Sequence, residues 1–192
     1  MMLKPFANAG AALVLAALCP ITVNAKEGLA REAIKINATE TVDAADAGVA
    51  NGTDMAFFHE RTTTAFPKTI WKLWTNADSW KEWDRGLKSA ELAGKMKVGS
   101  EGKIYSESGP PASFVITEYR QGKSYTFVTS LPSAKLTIRR SFVGKSPTRF
   151  RHDVSFSGPM ATAYVSRLGP SFRKALPPTM DALANLAEAR AK

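Results

Sequence analysis

Residues 66–86 read Phe66-Pro67-Lys68-Thr69-Ile70-Trp71-Lys72-Leu73-Trp74-Thr75-Asn76-Ala77-Asp78-Ser79-Trp80-Lys81-Glu82-Trp83-Asp84-Arg85-Gly86, and this stretch decides the fold. All four tryptophans of the chain fall within it, as the pairs Trp71/Trp74 and Trp80/Trp83. A spacing of i, i+3 stacks each pair on one helical face, which predicts two short helices meeting at a tight bend with both pairs buried. Pro67 suits a first helical position, where its missing N–H costs nothing. Asp78 or Asn76 is placed to cap the second helix. Tryptophan chiefly supplies buried area, so the segment marks a fold and says less about chemistry.

Upstream, the chain opens as a targeting segment. Lys4 supplies the positive start, residues 11–18 an apolar run, and Val23-Asn24-Ala25 the small-x-small end of a secretory cleavage site. Leu18 before Cys19 and Pro20 after it fit a lipidation signal poorly, so the expected processing is cleavage after Ala25, giving a periplasmic or secreted protein. Loss of residues 1–25 also removes Cys19, the single cysteine. The mature domain then has no disulfide framework and depends on its core. Residues 26–53, rich in Ala, Asp, Thr, Glu and Gly, read as a flexible arm. Residues 54–192 form the domain.

The formal net charge of +9 falls to +8 once Lys4 leaves with the leader. Part of this bias lies in Lys135, Arg139, Arg140, Lys145, Arg149 and Arg151, a band able to make weak contact with anionic envelope surfaces. No aromatic-basic recognition motif accompanies these charges, so nucleic acid is not an expected partner.

Downstream of the tryptophans, residues 87–158 read as antiparallel strands separated by turn residues. Residues 113–119 alternate Phe114, Ile116 and Glu118 on one face with Val115, Thr117 and Tyr119 on the other. Residues 136–143 alternate Leu136, Ile138, Arg140 and Phe142 against Thr137, Arg139 and Ser141. In residues 149–157, Phe150, His152, Val154 and Phe156 share a face. The tail carries Met160, Tyr164, Leu168, Phe172, Leu176, Met180, Leu183 and Leu186 as one helical stripe. Gly169-Pro170 and Pro177-Pro178 interrupt that stripe, predicting kinks or a break. A sheet with one apolar face followed by one striped helix is expected to curl and grip it, an α+β domain.

From about residue 55 to 190 the chain resembles the SRPBCC superfamily (START-like, helix-grip fold), and most its polyketide cyclase/dehydrase branch. The resemblance is carried by Phe66-Pro67 with Ile70-Trp71, Trp80-x-x-Trp83-Asp84, Gly99-x-x-Gly102 and Phe114-x-Ile116-x-Glu118. It continues in the Pro147-Thr148 turn, in Gly158 and in the helix from Leu168-Gly169-Pro170 to Leu183. It implies a curled antiparallel sheet around a long C-terminal helix, two short helices after the first strand, and a cavity between sheet and helix for a small hydrophobic or amphipathic ligand such as a lipid. These positions maintain a fold; they do not fix an activity.

Polar residues on apolar strand faces are the candidates to meet such a ligand: Glu118, Arg140 and His152. Tyr125, Phe127, Tyr164, Leu168 and Phe172 are the expected cavity lining, and Tyr105 and Asp84 have weaker claims near its mouths. An enzymatic alternative uses Glu118 or His152 as general base in cyclase, dehydratase or hydrolase chemistry. The mature chain has His59 and His152 and no clustered carboxylates, so no protein-made metal site is expected. No phosphate-binding loop, nucleophile elbow or nucleotide fingerprint is present, and no cofactor is expected. The tryptophans are expected to seal the core beside the cavity without touching the ligand.

Overall fold

The computed structural model describes residues 55–191. The expected leader with its cleavage site and Cys19, and the arm over residues 26–53, lie outside the described residues.

β1 (Ala56–Thr63) leads into α1 (Pro67–Thr75), a 3-10 turn (Ala77–Ser79) and α2 (Trp80–Trp83). Six further strands follow: β2 (Leu87–Leu92), β3 (Glu101–Ser106), β4 (Ala112–Arg120), β5 (Ser124–Leu131), β6 (Ala134–Lys145) and β7 (Thr148–Ser157). α3 (Ala161–Ala189) closes the chain. The strands form one sheet in the order β1-β7-β6-β5-β4-β3-β2, every neighbouring pair antiparallel. α3 lies against β1, β7 and the two short helices, while β2 at the opposite edge packs on α2 and the 3-10 turn. The sheet therefore curls, and its two edges reach the same helical layer. This is an α+β grip of sheet around helix.

The bend between the short helices is built differently from expectation. Neither Asn76 nor Asp78 makes a side-chain cap. Instead the last turn of α1 is satisfied by side chains that follow it. Ser79 Oγ donates to the carbonyls of Leu73 (3.0 Å) and Asn76 (2.7 Å), and Trp80 Nε1 donates to that of Trp74 (2.9 Å). Helix-end carbonyls left without partners in a buried place are costly, and here the bend itself supplies the partners. Pro67 does occupy the start of α1. Trp74, Trp80 and Trp83 are completely buried, and Trp71 is half-buried.

α3 is not broken. It runs 29 residues through Pro170, Pro177 and Pro178. Each proline removes one helical hydrogen bond, but Pro170 and Pro178 are exposed, as are Ser166 and Lys174 four residues before them. Water can serve those two carbonyls, while the opposite face keeps Leu168, Phe172, Leu176, Met180 and Leu183 buried. The C-terminal end is tied to the β1–α1 connection, where Glu188 accepts hydrogen bonds from Thr63 Oγ1 (2.7 Å) and the Thr64 N–H (3.0 Å). Among the described residues, no helix is long and apolar enough to cross a membrane.

Candidate functional site

Antiparallel register sets the site. Tyr125 on β5 pairs with Arg140 on β6, Arg140 pairs with His152 on β7, and His152 pairs with His59 on β1. Four adjacent strands thus lay Tyr125, Arg140, His152 and His59 in one row across the sheet. Tyr125, Arg140 and His152 are buried and His59 half-buried. Three of the residues singled out in the sequence are therefore brought together.

Arg140 is the centre of the row. Its exposure is 4%, and its Nη1 donates to Tyr125 Oη at 2.5 Å. Tyr125 passes the chain on by donating to the Trp74 carbonyl at 3.0 Å. The guanidinium carbon lies 4.5 Å from the ring centre of Trp80 and 4.7 Å from that of Trp83, with Tyr125 and Phe127 at 5.7 and 5.6 Å. The electron-rich faces of indoles favour a cation at such distances. Trp80 is itself stacked on Phe114 (5.6 Å, 26°) and Phe127 (5.7 Å, 27°). Trp83 and Trp74 reach the other side of the row, their rings 6.2 and 5.7 Å from His152. The tryptophans thus do more than seal a core: they cover the buried cation.

Burial sets the protonation states. His152 is held neutral, its pKa well below the usual imidazole value, first by burial and then by the charge of Arg140. Burial likewise raises the Tyr125 phenol to about 12, against the pull of Arg140. Asp84, at the C-terminal end of α2, is buried and pushed up to about 6 by desolvation, with Arg140 and the Gly86 N–H opposing. Its Oδ1 accepts from that N–H at 3.1 Å. Among the described residues no carboxylate forms an ion pair with Arg140.

Glu118 does not join the row. Its expected alternation with Phe114 and Ile116 is broken by a bulge: Ile116 pairs with Phe127, but Glu118 pairs with Thr126. One extra residue turns every later side chain over, so Tyr119 takes the inward side, its ring 5.7 Å from Trp71. Glu118 is exposed on the outer face and accepts from Thr126 Oγ1 at 3.0 Å. There it lines an open groove of about 820 Å³ with Thr137, Arg139, Arg151 and Asp153.

Phe127 stands beside Arg140, but the helix candidates do not. Phe172 packs on Phe57 (6.4 Å) and Phe156 (6.0 Å). Phe156 lies four residues along β7 from His152, about 13 Å at strand rise. Tyr164 and Leu168 are buried on earlier turns of α3. One open groove lies on the outer sheet face and a second concavity beside Phe66 and Glu188. Between sheet and helix, aromatic side chains pack against one another around Arg140.

The basic band is also divided. Arg140 is interior, and Arg151 pairs with Asp153 (2.7 Å) and Glu60 (3.6 Å), which also meets Arg149 (3.6 Å). Asp84 and His59 are the members of the site with the weakest signal in the sequence. The signal for His59 is its cross-strand position opposite His152, visible only once β1 is paired with β7.

Solved structures share this architecture. Protein NE0264 from Nitrosomonas europaea matches with a TM-score of 0.57 at 14% identity, covering 75% of this chain and 99% of that one. A norcoclaurine synthase from Thalictrum matches at 0.51 and 15%, covering 71% and 96%. The di-domain ARO/CYC protein BexL of the BE-7585A biosynthetic pathway matches at 0.55 and 15%, covering 73% of this chain and 51% of that one. The fold is the helix-grip fold. Identities this low speak for the fold alone. No protein-family model and no curated protein matches the chain.

Proposed function

We propose that this is an exported binding protein that holds a small amphipathic molecule inside the helix-grip domain, at the Tyr125–Arg140–His152 row. One observation carries the reading: a guanidinium is buried among aromatic rings with no carboxylate paired to it. Desolvating a charge that no carboxylate contacts directly is expensive, and a core built for stability alone has cheaper ways to fill that space. The helix-grip fold, in which solved relatives of shape include a synthase bound to a transition-state analogue, is consistent with an interior site. A site walled by packed aromatic rings admits a small ligand. Export rests on the leader-like residues 1–25.

Native mass spectrometry of gently purified protein tests the reading together with tryptophan emission during titration with six- to ten-carbon amphiphiles. Expected are a bound small molecule in the spectrum and a saturable emission change, because three of the four tryptophans ring the site. An unchanged emission across the panel with a ligand-free spectrum overturns it.

A second reading has one observation in its favour. His152 is a neutral, buried imidazole whose Nε2 has no hydrogen-bond partner, the state a general base requires. With Glu118 on the outer face, an enzymatic role falls to His152. Turnover of a bound ligand that survives His152→Gln unchanged excludes it.

A further inference from the structure

We infer that the ligand's polar end is a carboxylate, so that the molecule held is a small amphipathic acid; this rests on the binding reading above. Four buried nitrogens have no hydrogen-bond partner in one connected cluster: Nε of Arg140, Nε1 of Trp83, Nε1 of Trp74 and Nε2 of His152. Arg140 covers Trp83, Trp83 and Trp74 flank His152, and His152 stands opposite Arg140 in the register. Arg140 Nε and both indole nitrogens can donate and cannot accept. Buried polar groups in folded proteins are nearly always partnered. A cluster left with several donors and one positive charge therefore calls for an acceptor that carries negative charge.

Chemistry narrows the class. Asp84 makes no ion pair with Arg140, and its carboxyl, already raised to about 6 by burial, is driven to its neutral form when an anion binds beside it. His152 is neutral and brings no second cation. One guanidinium balances one monoanion; a phosphate dianion would remain uncompensated in an aromatic interior. A carboxylate is planar, takes two parallel bonds from a guanidinium, and leaves an uncharged remainder. That remainder meets Trp80, Phe127 and Phe114, whose rings pack together beside Arg140.

The test compares octanoate with octanamide, equal in length and differing in charge, by isothermal titration of the full chain and of its Arg140→Met and Arg140→Lys variants. Expected is at least tenfold tighter binding of octanoate by the parent protein. Arg140→Met should bring the two probes to equal affinity, and Arg140→Lys should keep a preference for the acid. As a readout free of any variant, the indole N–H resonance of Trp83 should move further at saturation with octanoate than with octanamide. Equal affinity for both probes in the parent, or a preference that survives Arg140→Met, overturns the carboxylate assignment while leaving a binding interior. Failure of both probes to bind at millimolar concentration overturns the binding reading as well, and the unpaired donors then belong to internal water.

Discussion

The Arg140 guanidinium lies 4.5 Å from the ring centre of Trp80 and 4.7 Å from that of Trp83, so residues of α2 cover a charge that β6 carries into the interior. Two cation–π contacts of up to about 2 kcal/mol each and one charged hydrogen bond of about 2 kcal/mol oppose a desolvation cost of several kcal/mol. These terms nearly cancel. Arg140→Met at pH 5, where Asp84 is largely protonated, is expected to change unfolding free energy in urea by less than about 1 kcal/mol. A loss above roughly 3 kcal/mol would make Arg140 a structural cation, and its place in a ligand site would lose its support.

Trp80 carries the opposite balance. It is fully buried between Phe114 and Phe127 and bonded through Nε1 to the Trp74 carbonyl. Trp80→Ala removes the stack and that bond together, at an expected cost of about 3–5 kcal/mol. Urea unfolding of the variant measures it. A cost near 1 kcal/mol would mean that the corner is loosely packed.

The tryptophan spacing made the two helices legible because each pair falls on one face, and the strands were legible because burial on one side imposes a period of two. Arg140 and His152 stood out for the same reason, as polar residues in apolar positions. Glu118 falls on the outer face, against its alternation, because a bulge is a property of two paired strands and leaves no mark in the alternation of one. The prolines of α3 suggest a break because their local cost is written in the sequence, while the exposure of Pro170 and Pro178, which lets water serve the freed carbonyls, is not. Asp84 gave little signal, since its burial arises only when the corner closes over the sheet.

Gly102 explains part of the Gly99-x-x-Gly102 pattern. A Cβ there would stand 2.3 Å from Phe114 Cζ and 2.4 Å from the Glu91 carbonyl oxygen. The ring could shift, but Phe114 supports Trp80, and the carbonyl belongs to the paired strand β2. Gly102→Ala should destabilise by about 1–3 kcal/mol, as overpacking does. The tryptophan emission should change with it. A neutral substitution would show that β2 and β3 part easily at this point.

Pro170 lies ten residues into α3, exposed, facing the exposed Ser166 carbonyl across one turn. Alanine restores that hydrogen bond and a helix propensity worth about 3 kcal/mol, less up to about 1 kcal/mol of lost rigidity in the unfolded chain. Pro170→Ala should therefore stabilise the domain by roughly 2 kcal/mol, read from the urea midpoint at constant slope. A destabilised variant would show that the sheet grips a helix bent at this proline.

Asp84 and His152 bias stability against pH in opposite senses. Burial raises Asp84 from 3.8 to about 6, so its contribution is complete below pH 3.8 and is lost as pH rises through about 6. A rise of about two units is worth ~3 kcal/mol. His152 is held far below its ordinary 6.5, so its contribution is complete above pH 6.5 and is lost as pH falls toward its folded value. Between pH 4 and 6.5 the two slopes oppose, and the parent profile should be comparatively flat. Asp84→Asn should unmask the histidine, with stability climbing relative to the parent by up to ~3 kcal/mol as pH goes from 4 to 7. His152→Gln should unmask the aspartate, with stability falling over pH 4 to 6 relative to the parent. Urea midpoints at each whole pH from 4 to 8 separate the cases. Parallel profiles for parent and both variants would mean that water reaches the row and that neither group is buried as described.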